Sequence, residues 1–352
     1  MDLVSKISRS SKIAKELIRQ KIKPFHKELP LPIPLTMHLD PTNLCNFKCT
    51  FCPTGDSELL KSVGRPKGQM EFELFCKIID ELAEMVNSAN HKLKVLHLYK
   101  DGEPLIHKQF CQMVSYAKSK NAAETVGTTT NAALLTKEKS IQIIESGLDK
   151  IRISVEHVDD QSYKKITQNY SDYNTIKSNV KFLFNEKTKR KSSLHIFAKI
   201  VDTNLTEAEK QKFKNDFAPI SDTLRIDSLM GWSNSETKDF LLGVDVSEGM
   251  NGTPLIPRKV CSEPFSKLAI NFDGKVSVCC VDWSYGTIIG DLTKETLSEI
   301  WNGEKLREFR ITHLKGEREK IEACKNCQYI LGLPKESILD NHVEKLLKTY
   351  GV

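Results

Sequence analysis

The stretch Asp40-Pro41-Thr42-Asn43-Leu44-Cys45-Asn46-Phe47-Lys48-Cys49-Thr50-Phe51-Cys52 follows a short apolar, strand-like segment and spaces three thiols as C-x3-C-x2-C. Such a loop reads as a set of cluster ligands. Iron–sulfur clusters are usually held by four thiolates, so three from one tight loop leave one iron without a protein ligand. An open coordination position is where metal chemistry takes place. A zinc knuckle or scattered structural thiols would use the same residues, and the rest of the chain must decide between these readings.

Outward from this loop, β-rich runs alternate with helical patterns. Strand-like segments fall at Leu35–Leu39, Leu93–Tyr99, Glu124–Thr129, Lys150–Glu156, Leu194–Val201 and Thr223–Leu229, with helices between them near 71–87, 107–119, 137–146, 173–186 and 205–214. Repeated βα units give a parallel sheet, and such sheets carry their sites at the strands' C-terminal ends. The expected fold is α/β: a partial (β/α)6 barrel of parallel strands over 35–230, with Cys45, Cys49 and Cys52 just after its first strand. Residues 1–34 form an N-terminal amphipathic helix and lead-in. A Gly-, Ser-, Asn- and Pro-rich stretch, 231–258, reads as a linker. Residues 259–352 then make a small hairpin/helix unit, in which Lys267–Phe272 and Lys275–Cys280 alternate around an Asp273-Gly274 turn. Helices are expected near 293–310 and 335–348.

The chain has 352 residues and a formal charge of +6. Its densest basic run, Lys187 to Lys191, is interrupted and lacks aromatic neighbours, so no nucleic-acid partner is expected. Ten cysteines, no signal peptide and no bilayer-length apolar run point to a reducing, cytoplasmic setting. In residues 1–22, Leu3, Ile7, Leu17, Ile18 and Ile22 recur near helical spacing among Lys6, Arg9, Lys12, Lys15 and Arg19. That pattern suits a helix docked on its own domain or one lying on a membrane surface.

The cysteine triplet, with Phe51 before its third member, resembles the radical S-adenosylmethionine (radical SAM) superfamily. The resemblance implies a cluster whose open iron chelates SAM and whose electron cleaves it to a 5′-deoxyadenosyl radical. Asp101-Gly102-Glu103-Pro104-Leu105, after the second strand, resembles the family's Gly-Gly-Glu-Pro motif, which holds the SAM amino group, with Asp101 in place of the first glycine. Gly102 is expected to let the ligand approach the backbone. Thr128 to Leu135 resembles the Thr-Thr-Asn-Gly segment, which assigns Asn131 to the SAM pocket. Ala132 stands where the family has glycine, which puts a positive φ there in doubt. Ile153-Ser154-Val155-Glu156 resembles Ile-Ser-Val-Asp and adds Ser154. His97 and Tyr99 share one strand face, pointing either into the barrel or toward the helices.

Downstream, Cys261, Cys279 or Cys280, Cys324 and Cys327 supply four further thiols. With Cys279 the pattern is C-x17-C-x44-C-x2-C, and together with Ile288 to Leu292 and Leu297 to Gly303 it resembles the accessory domains called SPASM and, in the single-cluster version, twitch. A structural zinc site would use the same four thiolates. Strand alternation puts Cys280 on the face of Val276 and Val278 and Cys279 opposite, favouring Cys279 as the ligand. Cys76 and Cys111 read as buried apolar residues.

The resemblance therefore implies two 4Fe–4S clusters, SAM, and a reducing donor such as flavodoxin or ferredoxin. A second cluster suggests that the substrate radical loses an electron. The expected reaction is dehydrogenation of a hydroxyl-bearing carbon in a sugar, nucleotide-sugar or aminocyclitol, a layout similar to the aminocyclitol dehydrogenases. A maturase acting on a ribosomal peptide or protein is the alternative enzyme, and a noncatalytic iron–sulfur electron-transfer protein the alternative of another class. Glu156, His157, Arg225 and Asp227 lie near strand ends as polar candidates, none singled out as the base.

Overall fold

The structure, a computed structural model, describes residues 24–170, 172–233, 240–249 and 252–352. The amphipathic helix expected over 1–22 lies outside the described residues. Strands β1 (Thr36–Leu39), β2 (Leu93–His97), β3 (Ala123–Thr130), β4 (Lys150–Val155), β5 (His195–Asp202) and β6 (Thr223–Ser228) pair in sequence order, all parallel. Helices Phe72–Ala89, Phe110–Ser119, Lys137–Glu145, Tyr173–Lys189 and Glu207–Phe217 connect them. This is the mixed α/β, parallel-strand barrel architecture that the βα alternation predicts.

Alternation along each strand sorts its side chains between two environments. On β4, Ile151, Ile153 and Val155 are buried in one core with Ile176, Val180 and Leu183 of the helix Tyr173–Lys189. Lys150 and Arg152 point to the other side, where they line a cavity with His97, Tyr99 and Thr129. His97 and Tyr99 thus face the barrel lumen. The helix side is apolar and the lumen polar, which leaves the lumen open for ligands.

Among the described residues three helices escape the periodicity reading, the four-residue Glu322–Lys325 and two longer ones. Ser57–Ser62 and Asp160–Thr167 are short and polar, and their starts are fixed by Asp56 and Asp159, whose carboxylates accept the backbone N–H of Leu59 at 3.1 Å and of Ser162 at 2.9 Å. The helix expected over 293–310 is two, Leu297–Asn302 and Glu304–Leu314, because Gly303 is extended (φ −74°, ψ 159°) between them. Only Val343–Thr349 of the region 335–348 is α-helical, preceded by short 3-10 turns.

The hairpin expected around Asp273-Gly274 forms, and it joins the barrel sheet. Within the stretch expected as linker, β7 (Glu248–Gly249) and β8 (Thr253–Pro254) make a two-residue ribbon. Strand β9 (Lys267–Ile270) pairs in parallel with β1, β10 (Lys275–Ser277) pairs antiparallel with β9, and β11 (Ile288–Asp291) follows. The result is one nine-stranded sheet, ordered β11-β10-β9-β1-β2-β3-β4-β5-β6. Leu268, Ile270, Val276, Ile289 and Trp301 belong to the same apolar core as the barrel helices. A smaller core gathers Leu29, Val260, Phe265, Ile311, Leu314 and Leu346. No helix among the described residues is long and apolar enough to cross a membrane.

Candidate active site

The Cys45–Cys52 loop is held by its flanks rather than by internal regularity. Asn43 Nδ2 donates to the Pro66 carbonyl at 2.8 Å, and its Oδ1 accepts from Gly68 N at 2.9 Å. Lys48 N and Thr50 N donate to the carbonyls of Thr167 and Ile166 at 2.8 and 3.0 Å. Phe47 is buried, stacked on Tyr170 at 5.3 Å between ring centroids. Backbone groups that would otherwise be unpaired in an irregular loop are thereby satisfied.

Against this loop packs the segment after β2. A Cβ at Gly102 would lie 2.1 Å from the Thr42 carbonyl oxygen and 2.5 Å from that of Leu44, so only glycine fits. The close approach that demands glycine here is that of the cysteine loop. Glu103 N donates to the Leu44 carbonyl at 2.9 Å. The Glu103 carboxylate accepts from Thr130 Oγ1 at 2.7 Å, Asn131 N at 2.8 Å and Leu105 N at 3.1 Å. Burial nevertheless pushes its pKa up to about 7.

Asn131 N thus reaches the carboxylate, while its side chain bridges Asn46 Oδ1 at 2.9 Å and Ala133 N at 3.0 Å. Ala132 has φ +60°, so the left-handed conformation persists without glycine. It is held by Thr130 Oγ1, which accepts Ala132 N at 3.0 Å, and by Asn179 Nδ2, which donates to the Ala132 carbonyl at 2.9 Å. The strain of such a residue is about 1–2 kcal/mol.

Cys45, Cys49, Cys52, Gly102, Glu103, Asn131 and Ser154 line one cavity of about 160 Å³. Pro104 does not: it is buried as the first residue of the 3-10 turn Pro104–Ile106. Further lining residues that sequence patterns did not mark as site residues include Thr54, Gly55, Thr129, Thr130 and Trp232. Glu156 also lines the cavity, foreshadowed by its place at the end of β4. Burial pushes it up to about 7 as well, with Lys199 opposing the shift. His157 is absent from this cavity and sits beside Asp159 (2.9 Å) and Glu209 (3.5 Å).

Asp101, the departure from the double-glycine pattern, is fully buried and forms ion pairs with Arg65 and Lys100. Arg65 Nη1 also donates to the Trp283 carbonyl at 2.7 Å, and Lys100 Nζ to that of Asp282 at 2.9 Å. Thr54 Oγ1 donates to the Asp101 carbonyl at 2.8 Å and lies 3.0 Å from Cys52 Sγ. One residue, through its carbonyl on one side and its carboxylate on the other, therefore ties the cysteine loop to the region just after Cys280. Burial and the neighbouring Asp101 carboxylate push Asp40 up to about 8.

A second cavity, of about 30 Å³, is lined by Cys261, Cys279, Cys324 and Cys327. Cys280 is not part of its lining, although its thiol remains close to Cys279 and Glu263. The alternation argument for Cys279 has no strand beneath it, since β10 ends at Ser277 with a register shift between Val276 and Ser277. Burial, with the neighbouring Cys327 thiol and Asp282 carboxylate, pushes Cys324 up to about 12. His313, 1% exposed, faces the same cavity with neither ring nitrogen hydrogen-bonded.

Residues 39–202 match the radical SAM superfamily, and residues 261–328 match SPASM, an iron-sulfur cluster-binding domain. The chain carries a radical SAM domain followed by a SPASM domain. Among curated relatives it is similar to the tungsten-containing aldehyde ferredoxin oxidoreductase cofactor-modifying protein of Pyrococcus furiosus, 30% identical over 120 residues, 34% of this chain and 30% of that one. It is also similar to GTP 3′,8-cyclase of Chlorobaculum tepidum, 29% identical over 127 residues, 36% of this chain and 34% of that one. The chain thus spans about a third of the length of these relatives. Among solved structures, BtrN in complex with AdoMet and 2-DOIA is 17% identical with a TM-score of 0.53, over 86% of this chain and 97% of that one. Streptococcus suis SuiB bound to precursor peptide SuiA is 12% identical with a TM-score of 0.60, over 97% and 81%. At these identities the likeness is one of fold.

A radical SAM domain implies a 4Fe–4S cluster and SAM, and a SPASM domain implies additional iron–sulfur clusters. The residues present fit them. Thiols crowded together and desolvated hold their protons tightly unless a cationic centre replaces those protons. His313 adds a buried ring aimed at the second set without a partner, as a hydrogen bond to a cluster would require.

Proposed function

We propose that this enzyme dehydrogenates a hydroxyl-bearing carbon of a sugar, nucleotide-sugar or aminocyclitol. The observation that supports this reading is the pair of thiol-lined cavities on one sheet: the first follows β1, and Cys279 of the second follows the hairpin paired directly with β1. Cys45, Cys49 and Cys52 hold the SAM-binding 4Fe–4S cluster, and Cys261, Cys279, Cys324 and Cys327 hold the auxiliary one. When bound, the first with SAM supplies hydrogen-atom abstraction from the carbinol carbon and the second an acceptor for one electron.

The chain's own groups do the rest. Glu103, fixed by three donors, receives the SAM ammonium, and Asn131 and Ser154 complete that wall. Glu156 faces the same space with a pKa near neutrality and takes the hydroxyl proton. Trp232 covers the loop, its Nε1 donating to the Phe51 carbonyl at 3.0 Å, and keeps water from the reacting carbon. The balance is one hydrogen atom, one proton and one electron lost, giving a ketone. Anaerobic incubation with SAM, reduced flavodoxin and a panel of such alcohols tests this: a product lighter by two hydrogens together with 5′-deoxyadenosine is expected. A rearranged product, or one formed only from a peptide, contradicts it.

A further inference from the structure

Beneath the thiol cavity the lumen is cationic, and strand register sets its layout. Thr129 pairs with Arg152 and Arg152 with Phe197; one row nearer the strand C-termini, Ser154 pairs with Lys199 and Lys199 with Arg225. Lys150, Arg152 and Arg225 surround the Phe197 ring at 5.2, 5.4 and 4.9 Å from its centroid. A cavity of about 200 Å³ opens onto Lys150 and Arg152 beside His97, Tyr99 and Thr129. Because Thr129 also lines the thiol cavity, the two spaces adjoin.

The charges in this lumen do not cancel. Asp227 pairs with Arg225 and lies 3.8 Å from Lys199, which also faces the Glu156 carboxyl, so two carboxyl groups stand against four cations. Among the described residues no carboxylate lies within ion-pair distance of Lys150 or Arg152. Arg152 donates one long hydrogen bond, to Tyr99 Oη at 3.4 Å, and its buried Nε has no partner. Burial and the adjoining Arg152 and Arg225 pull the Lys150 ammonium below the usual lysine range. Attraction to one aromatic face, roughly 0.5–2 kcal/mol per cation, is small against desolvating several like charges together. A multiply charged anion would balance them, and guanidinium forks match phosphoryl oxygens in geometry.

We infer that the lumen wall formed by Lys150 and Arg152 and, one row nearer the strand C-termini, by Lys199 and Arg225 binds a phosphoryl group of the substrate, so that the enzyme takes a sugar phosphate or a nucleoside diphosphate sugar and disfavours cationic aminocyclitols. This rests on the dehydrogenase reading only for the placement of the reacting carbon above Thr129, near Ser154 and Glu156. The phosphate source is left to two probes, glucose 1-phosphate and UDP-glucose.

Calorimetric titration of the cluster-loaded, SAM-bound full chain tests the subsite without turnover. At least one phosphorylated probe should bind ten-fold or more tightly than glucose and be displaced by pyrophosphate, while streptamine should bind no better than glucose. The tighter probe identifies the source. Arg152→Gln, and the charge-neutral pair Arg225→Gln with Asp227→Asn, should each weaken that probe at least ten-fold while iron content and SAM affinity stay within two-fold. Equal affinity for glucose and both phosphorylated probes, absence of binding, tighter streptamine binding, or unchanged phosphate affinity in folded Arg152→Gln would overturn the inference. If phosphorylated probes bind and yield no product lighter by two hydrogens, the dehydrogenase reading falls and the subsite stands. If that product forms from an uncharged alcohol and the probes do not bind, the subsite falls alone.

Discussion

Asp101 shows how much one departure from a family motif can carry. It pairs with two buried cations, and each of these holds a carbonyl of the segment leading away from the second thiol set. Removing one member of a buried ion pair costs about 3–5 kcal/mol, because the partners remain desolvated and unpaired. Asp101→Asn should therefore lose roughly 3 kcal/mol in urea unfolding; a change under about 0.5 kcal/mol would mean that the network contributes only surface-like pairing. Glu156 is the second decisive residue. Its carboxyl is raised to about 7, so it is the competent, ionised base only above that pH, and turnover should rise with pH through about 7. Glu156→Gln should cost about 10²–10⁴-fold in kcat and abolish that limb of the profile. Retention of the limb in the variant would assign the proton to another group. The carboxylate's place at a strand end was legible; its burial beside Lys199 was not, because β5 supplies that neighbour across a pairing the local sequence does not encode.

At the level of elements, strands and long helices were legible wherever periodicity is strong. β4 alternates Ile151, Ile153 and Val155 with Lys150, Arg152 and Ser154, and the apolar stripe of Phe72–Ala89 follows helical spacing. Asp160–Thr167 buries only Tyr163 and Thr167, too little for a pattern, and is recognised only by its cap. The choice of Cys279 over Cys280 rested on alternation that the backbone abandons after Ser277. Loop-on-loop packing is equally silent in sequence, and Gly102 is its clearest instance. Gly102→Ala would place a methyl carbon 2.1 Å from a carbonyl oxygen, forcing the two loops apart. With two four-iron clusters, as proposed, the variant should lose about half its iron together with SAM cleavage, while keeping the auxiliary site. Full iron loading with normal SAM cleavage would show that the loops tolerate separation.

For the whole molecule, the sheet crosses the boundary that composition suggested at 231–258. Among the described residues of 231–258, β7 and β8 are two-residue strands, and β9 then returns to pair with β1 through register Thr36–Lys267 to Leu39–Ile270. A pairing between strands separated by more than two hundred residues leaves no local trace. Removing everything after residue 258 would expose the edge of β1 and strip the barrel core of Leu268, Ile270, Val276 and Trp301. Such a truncation should be insoluble or lack a cooperative thermal transition, and a truncated barrel melting like the full chain would show the two parts to be independent. The central claim is that radical formation at Cys45, Cys49 and Cys52 ends in an oxidation served by Cys261, Cys279, Cys324 and Cys327. Its most direct test is mass analysis of one anaerobic turnover with a sugar substrate deuterated at the carbinol carbon. The account predicts that the deuterium appears in 5′-deoxyadenosine or in recovered SAM and that the sugar product lacks that deuterium and one proton. Retention of the deuterium in a product of unchanged oxidation state would contradict it.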